Sequence, residues 1–194
     1  ELELDDDGYD FAYLSGGKTV SIFGSTFGGF YIGSNGYITF TEGDPEYSES
    51  LGAHFAQLRI SVLYRDLDPS SAGVVSYKQF ANRAVVTWQG VPEYGSANPN
   101  TFQVEMYFDG RIRLAWLAIA AQRGVVGLSN GLGVPQGFQE TDLSAYPECE
   151  DGPSVSPIIS GWVQTAGGSA IGDVLLTFSN DGGSTKTNIT GYYS

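Results

Sequence analysis

FQVEMYFDGRIRLAW, residues 102–116, decides the fold. Apolar side chains take every second position on either side of Asp109-Gly110, the period of a strand with one buried face. A three-residue loop of Phe108, Asp109 and Gly110, with the glycine left-handed, sets Met106 opposite Ile112, Val104 opposite Leu114 and Phe102 opposite Trp116. The other face places Glu105 across from Arg113, an ion pair expected on the solvent side. FYIGSNGYITF (30–40) follows the same rule. A Ser34-Asn35-Gly36 loop pairs Gly33 with Tyr37, Ile32 with Ile38 and Phe30 with Phe40, whereas a two-residue loop would set Ile32 against Thr39 and split the apolar face. VVSYKQF (74–80) and RAVVTWQGV (83–91) form a third hairpin around Ala81-Asn82, with both faces partly apolar, as in central strands. LRISVLY (58–64) and GVVGLS (124–129) are two further short strands. Helical periodicity is nearly missing. The fold class is all-β: an antiparallel β-sandwich domain, to which the tail adds a short half-sandwich.

Composition narrows the function classes. Nine Lys and Arg stand against 22 Asp and Glu, a formal charge of −13. That balance argues against nucleic acid and anionic membrane as partners, and it suits a surface kept soluble by self-repulsion. No apolar run approaches the ~20 residues of a membrane span; AWLAIAA (115–121) reads as a buried strand and its flank. Cys149 is the only cysteine, so no intrachain disulfide exists, and the acids beside it disfavour a reactive thiolate. A start at Glu1 rather than Met is read as processing or trimming. Abundant Gly and Tyr with few Lys fit an exported β-protein.

YPECEDGPSVSP (146–157) breaks the strand rhythm and reads as a connection. The expected organisation is a β-sandwich over 1–150, a Pro/Ser linker over 151–157, and a partial module over 158–194. That last piece holds only three apparent strands, ISGWVQT, VLLTFSN and TKTNITGYYS. Three strands leave unpaired N–H and C=O groups at their edges, so a second body is expected to complete them.

LDDDGYDFAYL (4–14), FYIGSNGYITF, VVTWQGVPEY and NTFQVEMYFDGRIRL together resemble a nidogen-like domain, in the manner of its bacterial relatives. The resemblance covers most of 1–150. It implies an extracellular β-fold with roles in adhesion or matrix assembly, and it carries over no catalytic residues. The chain lacks the disulfides of the animal forms. Residues 159–194 resemble the front half of a carboxypeptidase-regulatory-like, transthyretin-type sandwich, through the spacing of I-G-D-V, T-F-S and T-G-Y-Y-S. Such modules hold about seven strands, so half of one is present.

Catalytic constellations fare poorly. GLSNG (127–131) matches a nucleophile elbow by letters only, because no helix follows and the sole histidine, His54, comes earlier. His54 is expected at the surface or partly packed, and one histidine cannot build a zinc hydrolase site. Glu105 and Asp109 have glycosidase-like spacing, but the hairpin register gives one to Arg113 and the other to the turn. Asp66 and Asp68 read as turn formers before Pro69. Trp88 and Trp116 alternate into the core rather than forming a sugar platform. Asp5, Asp6 and Asp7 could gather Ca²⁺ as hard oxygen ligands, although Tyr9 stands where an EF-hand needs an acid; a solvated acidic turn is the competing reading. No other cofactor is implied. Asn188-Ile189-Thr190 is a glycosylation sequon, meaningful in a eukaryotic secretory setting.

These observations lead to an expectation of a non-catalytic, secreted or cell-surface structural protein. It would assemble with other copies of itself by strand complementation into a filament or surface layer. The expected interface is Val174, Leu176 and Phe178 with Thr185, Thr187, Ile189, Tyr192 and Tyr193; Leu2 and Leu4 are candidate donor residues. The alternative is an adhesive or carbohydrate-binding accessory module of a larger secreted protein, with surface glycans or matrix as partners.

Overall fold

A computed structural model describes residues 1–143, 161–165, 168–177, 184–190 and 192–193. It divides into two compact units, Glu1–Gln139 and Glu140–Ser194. The expected linker 151–157 and Cys149 lie outside the described residues. Among the described residues no helix is long and apolar enough to cross a membrane.

The first unit is an antiparallel sandwich. Strands β1 (Tyr9–Tyr13), β2 (Val20–Ile22), β3 (Ser25–Phe27), β4 (Gly29–Gly33) and β5 (Tyr37–Thr39) precede a short helix α1 (Leu51–Ala56). Then come β6 (Leu58–Tyr64), β7 (Val74–Gln79), β8 (Arg83–Pro92), β9 (Pro99–Tyr107), β10 (Ile112–Ala118) and β11 (Val125–Asn130). One sheet runs β1-β4-β5-β6-β11 and the other β10-β9-β8-β7, with β2 and β3 as a separate ribbon. Both detailed hairpin registers are as the alternation requires: Ile32 faces Ile38, and Met106, Val104 and Phe102 face Ile112, Leu114 and Trp116. The β7–β8 turn closes on Ala81-Asn82, with Phe80 N–H donating to Arg83 O at 2.7 Å.

The core lies between the sheets, with Phe30, Ile32, Ile38, Ile60 and Val62 from one and Val86, Trp88, Phe102, Val104 and Met106 from the other. Trp88 stacks on Phe102 with centroids 5.0 Å apart, and its Nε1–H donates to Gly33 O in the opposite sheet at 3.1 Å. Buried indole nitrogen is thereby satisfied, which lets the largest side chain sit fully inside.

Four expectations need correcting. Glu105 is not on solvent: it is 7% exposed, because Arg83 and Tyr107 lie over it as well as Arg113. β7 is an edge strand rather than a central one, and Leu2 caps it, Leu2 N–H donating to Val75 O at 2.8 Å. AWLAIAA is not buried: β10 is the other edge of that sheet, and Trp116 is half exposed even though its Nε1–H reaches Val62 O at 2.9 Å. His54 is buried, carried inside by α1, a single six-residue turn of helix too short to leave a periodic signal. Ser50 caps it through Oγ, which accepts from Ala53 N–H at 3.0 Å.

The second unit holds β12 (Gly161–Trp162), β13 (Leu175–Thr177), β14 (Ser184–Lys186) and β15 (Tyr192–Tyr193). The segment expected as one final strand is thus two, and its end returns to pair with the beginning: β12 with β15, β13 with β14.

Gly36 tests this description. Its φ is +76°, and a Cβ there would sit 2.0 Å from Leu63 O, a backbone atom. Gly36→Ala should therefore cost at least ~3 kcal/mol. Gly110→Ala, with φ +94° but open space around it, should cost only roughly 1–2 kcal/mol. Chemical denaturation of the two variants measures the contrast, and equal losses would count against the buried turn.

Candidate functional site

The Ser34-Asn35-Gly36 turn is buried, with Ser34 and Asn35 each 1% exposed. Asn35 satisfies itself by reaching in two directions. Its Nδ2–H donates to Asp7 Oδ1 at 2.9 Å, and its Oδ1 accepts from Leu67 N–H at 2.7 Å. Ser34 N–H also donates to Gly8 O at 2.9 Å. One amide therefore draws the Asp5–Gly8 turn and the Asp66–Asp68 segment together. Asp6, Asp7 and Asp66 end with one carboxylate oxygen each within 4.8 Å of one another, all half-buried.

This is an acidic cluster under electrostatic stress. Burial, then Asp68, Asp7 and Asp66, push the Asp6 carboxyl up to about 6. Burial, then Asp7, raises Asp66 as well. Asp6 Oδ1 is shielded from solvent and has no hydrogen-bond partner among the described residues. Three hard oxygens at that spacing suit a Ca²⁺-like cation. Of Asp5, Asp6 and Asp7, expected together as Ca²⁺ ligands, the structure brings Asp6 and Asp7 together with Asp66. Asp5 is exposed, its carbonyl closing the turn by accepting from Gly8 N–H at 3.1 Å. Asp66 lies 59 residues beyond Asp7 in the chain, so only the tertiary fold discloses it. Asp68 keeps its expected turn role, accepting from Ser70 and Ser71 N–H at 3.0 and 3.2 Å.

A second polar group lies on the outer side of the five-stranded sheet. Arg59, 1% exposed, pairs with Asp44 and lies between the rings of Tyr37 and Tyr64, 4.3 and 4.9 Å from their centroids. Tyr37 OH lies 2.8 Å from both Asp44 O and Glu46 O, which share its one proton, so the 41–50 loop is strapped across β5 and β6. His54 Nδ1 and Ser61 Oγ share a hydrogen at 2.8 Å. Burial, then the Arg59 charge, hold the imidazole down at about 4. These groups tie a loop to a sheet and face each other rather than a cleft. The Ser129 of GLSNG is equally inside, fully buried in β11 with Oγ accepting from Gly131 N–H at 3.0 Å. Asp109 sits in its turn against Arg111 at 2.9 Å, which lowers its pKa through hydrogen bonding.

The strap ends beside an aromatic strip. Tyr9, Phe11 and Tyr13 alternate along β1 on one face, and Tyr31 of β4 stands opposite Phe11. Edge-to-face contacts join Tyr9 to Tyr31 at 5.9 Å, Phe11 to Tyr31 at 4.6 Å and Phe11 to Tyr13 at 4.6 Å. Tyr13 is 80% exposed and Tyr9 47%. The sequence signal was present in YDFAY, where three aromatics share a period of two.

The expected assembly residues are scattered. Leu2 is half-buried against the core and Leu4 is buried in it, both engaged within the first unit. Val174, Leu176 and Thr185 are half-buried. Thr187 is buried, its Oγ1 accepting from Val174 N–H at 2.9 Å and donating to Ile171 O at 2.9 Å. Ile189 is 94% exposed in the sequon turn, where Thr190 Oγ1 donates to Asn188 Oδ1 at 2.7 Å. Tyr192 and Tyr193 pair as strand with β12, and Phe178 lies outside the described residues.

The two titrations oppose each other. Asp6, raised in the fold, weakens the native state at neutral pH, and that penalty lifts as pH falls through about 6. His54, depressed in the fold, costs stability as pH falls from its ordinary 6.5 towards about 4, a loss of about 3 kcal/mol. Asp6→Asn should therefore stabilise the chain near neutrality and lose that advantage in acid. His54→Gln should flatten the acid limb. Thermal melts across the range check both, and millimolar Ca²⁺ should raise the Tm of the parent but not of Asp66→Asn if the trio holds a cation.

No curated protein and no solved structure matches the chain. A family model described as NIDO related matches residues 3–158, from the Asp5–Gly8 turn through both registered hairpins. The chain belongs to this nidogen-related family.

Proposed function

We propose that the chain is a non-catalytic adhesive module of a larger extracellular protein, with the sandwich face carrying Tyr9, Phe11, Tyr13 and Tyr31 as its contact surface. The carrying observation is that strip of rings. Soluble domains seldom leave a contiguous aromatic patch wet unless it meets something, and Tyr13 is 80% exposed. Family membership supports the extracellular setting, and surface glycans or matrix are the partner classes that fit it. The residues of catalytic type make structural contacts: Glu105 with Arg83, Arg113 and Tyr107, His54 with Ser61, and Asp109 with Arg111.

A second reading, strand-complemented assembly of identical copies into a filament or layer, is favoured by one observation in the tail. β13 and β14 form a two-stranded ribbon with Leu175 60% exposed, and such a ribbon gains from a third strand. The likeness of 159–194 to half of a carboxypeptidase-regulatory-like module belongs to this reading.

Binding of the full chain to immobilised matrix proteins and polysaccharides separates the two. The adhesive reading expects Tyr9→Ala with Tyr13→Ala to cut retention at least about tenfold while light scattering reports monomers. Unchanged retention would overturn it. Concentration-dependent growth abolished by Leu175→Lys would favour assembly instead.

A further inference from the structure

Resting on the adhesive reading, we infer that the aromatic strip takes a cationic polypeptide segment, its Arg or Lys heads stacked on the Tyr and Phe rings. The first argument is charge. Every one of the nine cations of the chain is already committed. Arg59, Arg65, Arg83, Arg111, Arg113, Arg123 and Lys186 are ion-paired, and Lys18 and Lys78 stand over Phe108 and Phe80. The acids outnumber the bases by 13, an excess that a positively charged partner answers. Along the chain residues 1–10 hold six acids and 42–49 hold four; Asp6 and Asp7 belong to the cluster at the Asn35 turn, and Asp44 and Glu49 are ion-paired. Glu42 is exposed and adjoins Gly43, on which the Tyr9 ring rests.

The second argument is the chemistry this molecule uses elsewhere. Arg59 is held between Tyr37 and Tyr64; Arg83 lies 4.6 Å from the Phe80 centroid, and Arg111 4.6 Å from that of Tyr107. An exposed ring on an acidic molecule attracts a guanidinium or ammonium through both its face and the surrounding field. The strip has the rings, belongs to a chain of net charge −13, and has no cation of the chain over it.

The third argument is preorganisation. A Cβ at Gly29 would fall 2.6 Å from Phe11 Cζ, and one at Gly43 would fall 2.0 Å from Tyr9 Cε2. Both rings rest against glycine, where any side chain would displace them. Tyr9 to Tyr13 spans ~14 Å, enough for alternate side chains of an extended segment to reach successive rings. A site already rigid loses little on binding.

The test uses the full chain and a Gly-Ser-spaced peptide carrying four arginines, with a citrulline peptide of equal length as its neutral counterpart. Fluorescence anisotropy is expected to show the arginine peptide binding and the citrulline peptide not. The Tyr9→Leu, Tyr13→Leu double variant keeps every charge and is expected to bind about tenfold more weakly. An intact thermal melt confirms its fold. Equal affinity for parent and variant would mean diffuse attraction to a negative surface and would overturn the inference, as would equal binding of citrulline. If the variant instead loses retention on a neutral polysaccharide while its arginine-peptide affinity is unchanged, the cationic partner falls and the adhesive face stands. If neither binding changes, both fall.

Discussion

A single buried amide organises the first unit. Asn35 is 1% exposed, and its side chain replaces water for Asp7 on one side and for the Leu67 backbone on the other. Around it the turn backbone is consumed as well, with Val62 and Leu63 N–H donating to Gly36 O at 3.0 and 3.1 Å and Arg65 N–H donating to Asn35 O at 3.3 Å. A hairpin turn normally faces solvent because its backbone groups need partners. Here it is packed inward, and every partner must come from the chain. That requirement brings three segments distant in sequence into contact, and Asp6, Asp7 and Asp66 are neighbours as its consequence. The repulsion among them is a cost that the turn imposes, and a proton or a cation relieves it.

The charges follow a different economy from the core. With 22 acids and nine bases, the pairs are nonetheless shared in both directions. Glu105 holds Arg83 at 3.1 Å and Arg113 at 3.6 Å, while Arg65 is divided between Glu49 at 2.5 Å and Glu93 at 2.6 Å. Scarce cations are placed where an aromatic ring adds to the ion pair, as for Arg59, Arg83 and Arg111. The same arrangement fixes the strap of residues 41–57 on the outer sheet face. Because the strap reaches towards β1 only at Gly43, beside Tyr9, Tyr9 and Tyr13 stay exposed.

What was legible in the sequence was local. Ile32 opposite Ile38 and Met106 opposite Ile112 follow from a period of two and a left-handed glycine, both readable within fifteen residues. Glu105 shows where that reading ends. Alternation correctly puts it on the face away from the core, but the covering of that face by Arg83 and Tyr107 comes from neighbouring strands and turns. Asp66 reads as a turn former because Pro69 follows closely; the cluster it joins is created by Asn35. Trp116 was assigned inward by parity, and its strand turned out to be the rim of its sheet, where parity no longer implies burial. His54 escaped because a one-turn helix has no period to detect.

The tail shows how pairing changes an argument made from strand count. Three ribbons in a row would have left two long bare edges. A turn at Thr187–Thr190 instead divides the last one, so that Tyr192-Tyr193 returns to Gly161-Trp162 and the beginning of the piece is closed by its end. Thr187 makes the division possible. Its backbone donates to Val174 O and accepts from Asp173 N–H, and its hydroxyl bonds Val174 N–H and Ile171 O. A residue first counted as part of a sticky edge is thus saturated within its own unit. Exposed apolar surface remains at Leu175 and Ile189, 60% and 94% accessible, but the hydrogen-bonding demand that made an outside strand seem obligatory is met in part from inside. Any partner of this piece has more to gain from those two side chains than from the backbone around Thr187.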